Sequence, residues 1–82
     1  MPVKNRRNVL LGEALRQARK AAGLSQEQLS FEAKVDRTHL SELENGHKSP
    51  TVDWLFRVCP VLGLAASELI AQVERSLQSR RK

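Results

Sequence analysis

The chain has 82 residues, the length of a single domain, of which 40% are hydrophobic and 28% charged. Only 4% are aromatic and none is Tyr, which argues against a surface that stacks the bases of a single strand. The formal net charge of +5 fits a polyanionic partner, although many basic domains bind none.

Cysteine usage and hydropathy exclude further classes of protein. Cys59 is the single cysteine, so the chain cannot form an intrachain disulfide or a cysteine-based metal cluster. No apolar run approaches the roughly 18 residues of a membrane span. The first residues, 1–8, are polar and do not read as a signal peptide. We therefore expect a cytoplasmic protein without membrane contact.

The N-terminal residues 1–8 include three basic side chains and no acid. We predict a flexible basic arm there, and the alternatives are a merely solvated terminus or an arm that lies on DNA phosphate or in a minor groove. The first helix is predicted over 9–22, where Leu11 and Leu15 keep helical spacing. Gly23 is its natural stop.

The chain is organised around residues 25–46, whose pattern predicts two short helices joined by a tight turn. Ser25 is a good N-cap and Gln28 follows three residues later in a capping-box arrangement. The first of the two helices is therefore predicted over 26–33. Asp36 is placed to cap the second.

The second short helix is predicted over 37–45, and Gly46 ends it where a left-handed residue is needed. Its outer face is polar, because hydrogen-bonding side chains recur at i, i+3, i+4 and i+7. These side chains are Thr38, Ser41, Glu42 and Asn45. A short helix with such a face is suited to reading base edges in a major groove.

The fourth predicted helix begins after Ser49-Pro50-Thr51 and is apolar on two sides. One stripe consists of Val52, Leu55, Phe56 and Cys59, and the other of Trp54, Val58, Val61 and Leu62. Because a domain of this size has one core, the second stripe needs another partner, which a symmetric dimer supplies. The alternative is that Trp54 closes the edge of the core. Pro60 either ends the regular helix early or shapes the interface.

The fifth helix is predicted over 65–78. Ala65 offers no capping side chain, so Ser67 could shift the start by two residues. Residues 79–82 are predicted to form a disordered basic tail. The fold is thus predicted to be all-α, with five helices around one core in a single domain spanning 9–78. The predicted dimer interface consists of Trp54, Val58, Val61, Leu62 and Ile70.

An ordered set of short motifs carries a family resemblance. The motifs are Gly23-Leu24-Ser25-Gln26, Leu29, Val35, Leu40-Ser41, Leu43-Glu44-Asn45-Gly46 and Ser49-Pro50. Each is weak alone, but together, at this spacing, they resemble the lambda-repressor-like (Xre/Cro) helix-turn-helix domain. The resemblance covers roughly 11–69, which is most of the chain.

The resemblance implies a recognition helix in the major groove, with two copies on half-sites about 34–36 Å apart. The residues that it implies for base reading are Arg37, Thr38, His39, Ser41 and Glu42. Those that it implies for phosphate contact are Arg19, Gln26, Asn45, Lys48 and Ser49. Glu42 could accept from cytosine N4, orient Arg37 or pair within its own helix. Glu44 is predicted to form a structural salt bridge, with arginines of the first helix as candidate partners.

Two positions depart from the family pattern. Lys34 stands where many relatives carry Gly, because the turn needs a positive φ. A lysine adopts that conformation at a cost of about 1 kcal/mol, unless the turn is made differently. Ser30 stands where Ala is usual, so its hydroxyl must bond back to the helix or face outward. Neither departure changes the predicted fold.

The resemblance implies a homodimeric, sequence-specific transcription regulator, a repressor or an activator, that binds a near-palindromic operator in double-stranded DNA. Asp36-Arg37-Thr38, followed by Leu40-Ser41, also resembles the recognition helix of restriction–modification controller proteins. RNA polymerase is a further candidate partner. The alternative function is that of an antitoxin or bridging factor, which would use the apolar faces of helices four and five as an interface with another protein.

The sequence contains no arrangement that predicts an enzyme, such as a Gly-rich phosphate loop or a nucleophile with its base. His39 and His47 lack the partners of a zinc site. Cys59 reads as a small core residue, because its neighbours in sequence are apolar. We expect no cofactor, no metal and no small-molecule ligand.

Overall fold

The computed structural model describes residues 5–79, which form five α-helices and no strand within that range. The helices are α1 (Arg6–Ala21), α2 (Gln26–Ala33), α3 (Arg37–Glu44), α4 (Val52–Leu62) and α5 (Ala66–Ser79). α1 packs against α3 and α5, α2 packs against α3 and α4, and α4 also contacts α5. The predicted all-α fold with five helices is confirmed.

α1 begins earlier than predicted, inside the segment that the sequence assigned to a flexible arm. Asn5 provides the reason, since its side-chain oxygen accepts from the backbone N–H of Asn8 at 3.1 Å and caps the helix. Arg6 and Arg7 are therefore helical. The rest of the predicted arm, 1–4, and the tail residues 80–82 lie outside the described residues.

The core consists of apolar side chains from all five helices. They are Leu11, Leu15, Leu29, Ala33, Leu40, Leu43, Trp54, Leu55, Val58, Cys59, Leu62, Leu69 and Val73. The largest fully buried side chains come mainly from α1, α2 and α3, so the two short helices are anchored from beneath. Burial of a leucine contributes about 1.5–3 kcal/mol, which outweighs the weak intrinsic stability of an eight-residue helix.

α4 buries one broad arc, whereas the sequence predicted two stripes on separate surfaces. Residues of a helix are about 100° apart, so the arc from Trp54 through Val58 and Leu62 to Cys59 spans about 140°. The core accommodates this arc because α4 lies against both α2 and α5. Pro60 does not end the helix, which continues to Leu62.

α5 begins at Ala66 and not at the shifted position considered for Ser67. The side chain of Glu68 accepts from the backbone N–H of Ala65 at 2.7 Å, and the Ala65 carbonyl accepts from the N–H groups of Glu68 and Leu69. In a capping box, the glutamate at the third helical position accepts from the backbone N–H of the N-cap residue. Glu68 makes this bond to Ala65, although Ala65 has no side chain that could cap the helix in return.

Candidate nucleic-acid interface

The capping box and the turn between α2 and α3 fix how the two helices cross. Ser25 Oγ accepts from the N–H of Gln28 at 3.0 Å, and Gln28 Oε1 accepts from the N–H of Ser25 at 2.8 Å. Lys34 ends α2 at φ 59°, ψ 48°, so the first of the two alternatives for this turn, a left-handed lysine, is the one observed. Ser30 Oγ bonds back to the Glu27 carbonyl at 3.0 Å, which confirms the first of the two alternatives for that hydroxyl.

α3 is capped by a side chain at its N-terminus and by backbone hydrogen bonds at its C-terminus. Asp36 Oδ2 accepts from the N–H of His39 at 2.8 Å. At the other end Gly46, at φ 80°, donates to the Leu43 carbonyl, and the N–H of His47 donates to the Glu42 carbonyl. The pairing of successive N–H groups with the last carbonyls is that of a Schellman ending. The helix therefore stops at Glu44, one residue before the predicted end.

Four of the predicted base-reading residues share one surface with Gln26. Arg37 and Thr38 are exposed and Ser41 and Glu42 are partly exposed, and all four line a shallow depression with Gln26, between α3 and the start of α2. This surface, defined by these five residues, is called the reading surface below. It presents a guanidinium, two hydroxyls, an amide and a carboxylate, the group types that hydrogen-bond to base edges and phosphates.

The fifth predicted base-reading residue, His39, does not line this depression. Its ring lies edge-on to Trp54 of α4, with centroids 6.0 Å apart and planes at 83°. An edge-to-face contact of this kind fixes the imidazole relative to α4. Trp54 Nε1 is buried and has no hydrogen-bond partner among the described residues, so the indole contributes packing at the cost of an unsatisfied donor.

Two of the predicted phosphate-binding residues, at the end of α3 and in the loop after it, have partners near the surface. Lys48 Nζ lies 3.7 Å from Glu42 Oε1, which is a partner for Glu42 that the sequence alternatives did not include. Asn45 Oδ1 accepts from Arg16 Nη2 at 2.9 Å. Both the ion pair and the hydrogen bond are near solvent, where such contacts are weak and easily exchanged for a phosphate contact. Ser49 is exposed in the same loop.

A buried ion pair joins α1 to α3 and corrects one assignment. Arg19 Nε and Nη2 donate to the two oxygens of Glu44 at 2.7 and 3.0 Å, and Arg19 Nη1 donates to the Leu24 carbonyl at 2.9 Å. Arg19 is only 9% exposed, so it does not reach outward to phosphate as the resemblance implied. The predicted structural salt bridge of Glu44 with arginines of α1 is confirmed, and Arg16 Nε is the second partner at 3.6 Å.

Gln26 completes the cluster around Glu44. Its Nε2 donates to Glu44 Oε1 at 2.9 Å. Burial raises the pKa of Glu44, but hydrogen bonds from Arg19 and Gln26 and the charges of Arg19 and Arg16 outweigh burial and hold that pKa below its ordinary value of 4.5. The hydrogen bond to Glu44 raises the pKa of Arg19. Both groups are therefore ionised at neutral pH.

The predicted dimer interface is wrong in three of its five residues. Trp54, Val58 and Leu62 are at most 8% exposed and belong to the domain's own core, so they offer almost no surface to a second copy. Val61 is partly exposed and Ile70 is 40% exposed. The exposed large apolar side chains of α4 are instead Val52 and Phe56, which lie one turn apart.

Three structural features were missed by the sequence reasoning. Gly12 lets α1 approach α3, because a Cβ there would lie 2.5 Å from the Leu43 carbonyl oxygen. A glycine inside a strongly helical pattern was the available signal. The hydrogen bond from Arg16 to Asn45 was not predicted. Phe31 is 83% exposed on α2, and a large apolar residue opposite the core face of its helix could have been noticed.

Within the described residues, no single helix is both long and apolar enough to cross a membrane. α4 and α5 pass that test only when taken together, and the chain bends by 101° between them.

Known proteins resemble the chain in both sequence and structure. A family profile described as helix-turn-helix matches residues 15–69. Control protein C.BamHI of Bacillus amyloliquefaciens is 31% identical over 67 residues, which cover 80% of this chain and 83% of that protein. The clp gene regulator ClgR from Corynebacterium glutamicum superposes with a TM-score of 0.81 at 30% identity, over 94% of this chain and 84% of that one. The restriction-modification controller protein C.AhdI from Aeromonas hydrophila superposes with a TM-score of 0.73 at 32% identity, over 76% of this chain and 94% of that one.

Proposed function

The chain belongs to the helix-turn-helix family of transcription regulators, and we propose that it acts as a homodimer that binds a near-palindromic operator in double-stranded DNA. The observation that carries this proposal is the reading surface, on which one short, rigidly capped helix presents four hydrogen-bonding side chains. The function places the protein in the cytoplasm, where its DNA lies.

Base reading is assigned to the α3 residues of the reading surface, and phosphate contact to Gln26 and to the loop after α3. Arg37, at the first position of α3, is suited to a two-fold hydrogen bond with guanine O6 and N7. Thr38 and Ser41 offer hydroxyls to adjacent bases. Lys48 and Ser49, in the loop after α3, are suited to phosphates, which position the protein without reading sequence. Two kinds of predicted contact remain: base contacts by His39 and Glu42, and phosphate contacts by Gln26 and Asn45.

The dimer is proposed to form through the exposed apolar residues of α4 and α5. Val52 and Phe56 are 65% and 64% exposed, and burying such side chains against a second copy is favourable. Ser49, three residues before Val52, lines the same groove as Ile70, so the loop before α4 lies beside the exposed part of α5. The described domain measures 39 × 31 × 22 Å. Two copies side by side therefore fit half-sites about 34–36 Å apart.

The primary experiment is selection of bound sequences from a random duplex pool, with the mass of the complex recorded. We expect an inverted repeat bound by two chains. Weak binding that is independent of sequence and abolished by salt would contradict the proposal. Arg37→Ala should then cost about 1–3 kcal/mol on the selected site alone, whereas Lys48→Ala should weaken binding to all duplexes and lower the salt slope by about one.

The dimer interface is tested with two exposed phenylalanines, one on α4 and one on α2. Phe56→Glu should produce a monomer in sedimentation and reduce operator affinity, because a buried charge at an apolar interface is costly. Phe31→Glu, on α2, is the matched control and should remain a dimer. A dimeric Phe56→Glu variant would place the interface elsewhere.

The narrower proposal is that of a restriction–modification controller. Its support is similarity along the chain to C.BamHI and C.AhdI, both controllers by name. ClgR, a regulator of clp genes, matches comparably well, so the resemblance does not separate the two roles. The selected operator distinguishes them: it should lie upstream of the gene itself, beside reading frames of methyltransferase and endonuclease size.

A second function, protein–protein interaction, is favoured by Phe31. It projects from the outer side of α2 beside the exposed acids Glu27 and Glu32, a combination that repels phosphate. This surface suits a basic protein partner in the manner of a bridging factor or an antitoxin. Affinity capture with the wild-type chain and with Phe31→Glu tests it: a partner retained only by the wild type supports this function, and identical captures refute it.

A further inference from the structure

The side chain of Gln26 is held from beneath by a buried carboxylate. Gln26 stands at the first position of α2 and lines the reading surface, while Glu44 lies at the inner end of α3 with its side chain fully buried. The hydrogen bond from Gln26 Nε2 to Glu44 Oε1 is 2.9 Å long. One amide thus connects the interior of the domain with the proposed DNA-facing surface.

The chemistry of Glu44 determines which way this amide turns. An ionised carboxylate only accepts hydrogen bonds, so it binds the NH₂ group of Gln26 and excludes its carbonyl oxygen. The same carboxylate is fixed by Arg19, which donates to both of its oxygens at 2.7 and 3.0 Å. The amide of Gln26 therefore has one orientation, with a second N–H left free for another acceptor.

We propose that Glu44 is a positioning residue for phosphate binding: it holds the Gln26 amide so that its free N–H is aimed at the DNA backbone. This inference rests on the proposed function. A side chain with three rotatable bonds loses conformational freedom when it binds, and a preformed hydrogen bond to Glu44 reduces that loss. The first backbone N–H groups of α2 lie at the same place and favour an anion there.

The charge of Glu44 does not oppose this role. Arg16 and Arg19 both lie within ion-pair distance of its carboxylate, at 3.6 and 2.7 Å, so two positive charges and one negative leave the cluster at +1. A phosphate near Gln26 therefore meets a compensated carboxylate. The arrangement keeps the acceptor that orients Gln26 without presenting a net negative field to DNA.

The test is a double-mutant cycle in operator affinity. In the wild type, Gln26→Ala should weaken binding about tenfold, the value of one hydrogen bond to a charged group. The cluster is removed by Arg19→Met combined with Glu44→Met, because replacing both partners of a buried ion pair with apolar residues preserves folding better than removing one. In that background Gln26→Ala should change affinity by less than about twofold. An equal loss in both backgrounds would show that Glu44 serves the fold alone and would overturn the proposal.

A second readout needs no DNA. In nitrogen-15 spectra, the side-chain NH₂ resonances of Gln26 should be displaced from those of a free glutamine and should return to that position in the Met/Met variant. Gln17, exposed on α1, is the internal control and should not move. Gln26 resonances at the same position in the wild type and in the Met/Met variant would show that Glu44 does not fix the amide. If no operator is selected, the proposed function is refuted, but the spectroscopic result still stands. If the Gln26→Ala variant binds the operator with full affinity, the positioning role of Glu44 is refuted, but the proposed function still stands.

Discussion

Gly12 is where a single methyl group should matter most for stability. It lies in the middle of α1, where that helix crosses the end of α3, and it is buried. A Cβ at this position would lie 2.5 Å from the carbonyl oxygen of Leu43, 2.6 Å from that of Glu44 and 2.9 Å from the Glu44 carbonyl carbon. These are backbone atoms, so no side chain can rotate away to make room.

The expected cost of Gly12→Ala follows from two opposing effects. Ala is favoured over Gly inside a helix by about 0.8–1.0 kcal/mol. Overpacking of a close contact costs about 1–3 kcal/mol, and backbone contacts lie at the upper end of that range. The net destabilisation should therefore be about 2 kcal/mol. For a domain of this size that lowers the melting temperature by about 8–16 °C.

The assay is thermal and urea unfolding of Gly12→Ala beside Gly23→Ala. Gly23 has φ +75° but nothing within 4 Å of an added Cβ, so it isolates backbone strain from steric overlap. That control should cost about 1 kcal/mol. If Gly12→Ala were as stable as the wild type, α1 and α3 would not be in the close contact that joins the two arginines of α1 to Glu44.

Three further predictions concern charge and burial. Glu42→Gln should strengthen binding to unrelated duplexes and steepen the salt slope by about one, since it removes an acid and releases Lys48; an unchanged slope would place Glu42 away from phosphate. Cys59 is buried, and burial raises its pKa, so it should react with thiol reagents only as fast as the domain opens, and rapid labelling of the native protein would contradict this. Glu44 has a folded pKa below 4.5, so its contribution to stability is complete above pH 4.5 and is lost as the pH falls through the lower folded value. The free energy of unfolding, measured with urea between pH 6 and 3, should therefore fall more in the wild type than in the variant in which Arg19 and Glu44 are both Met. Equal losses of this free energy in the two proteins would refute the assignment.

Local signals predicted the helix-turn-helix well. Ser25 and Asp36 cap their helices through side-chain oxygens, as their residue types and spacing predicted. Lys34 adopts the left-handed conformation that the family resemblance implied for the turn. Each of these depends on contacts within a few residues along the chain, so the sequence contains the necessary information.

Contacts between distant segments were predicted only in part. The pairing of Glu44 with arginines of α1 was predicted, but Arg19, 25 residues away in the chain, was at the same time assigned to phosphate. Periodicity does not say whether a charged residue near a helix end faces solvent or a buried partner. The prediction of which α4 residues are buried and which are exposed was wrong for a related reason. How wide an arc a helix buries depends on how many neighbours it has, and that is a property of the assembled fold.

In α3, the residues that support the fold and the residues proposed for DNA recognition lie on different sides of the helix. Leu40, Leu43 and Glu44 face the interior, where any change alters the core or the buried ion pair. Arg37 and Thr38 have no side-chain hydrogen bond to other described residues, so their replacement should leave stability within about 0.5 kcal/mol. Under the proposed function, operator preference can therefore change at these outer positions without loss of the fold. The proposed orientation of the domain on the DNA backbone cannot change in this way, because Glu44, which binds the Gln26 amide, is also the carboxylate that joins α1 to α3.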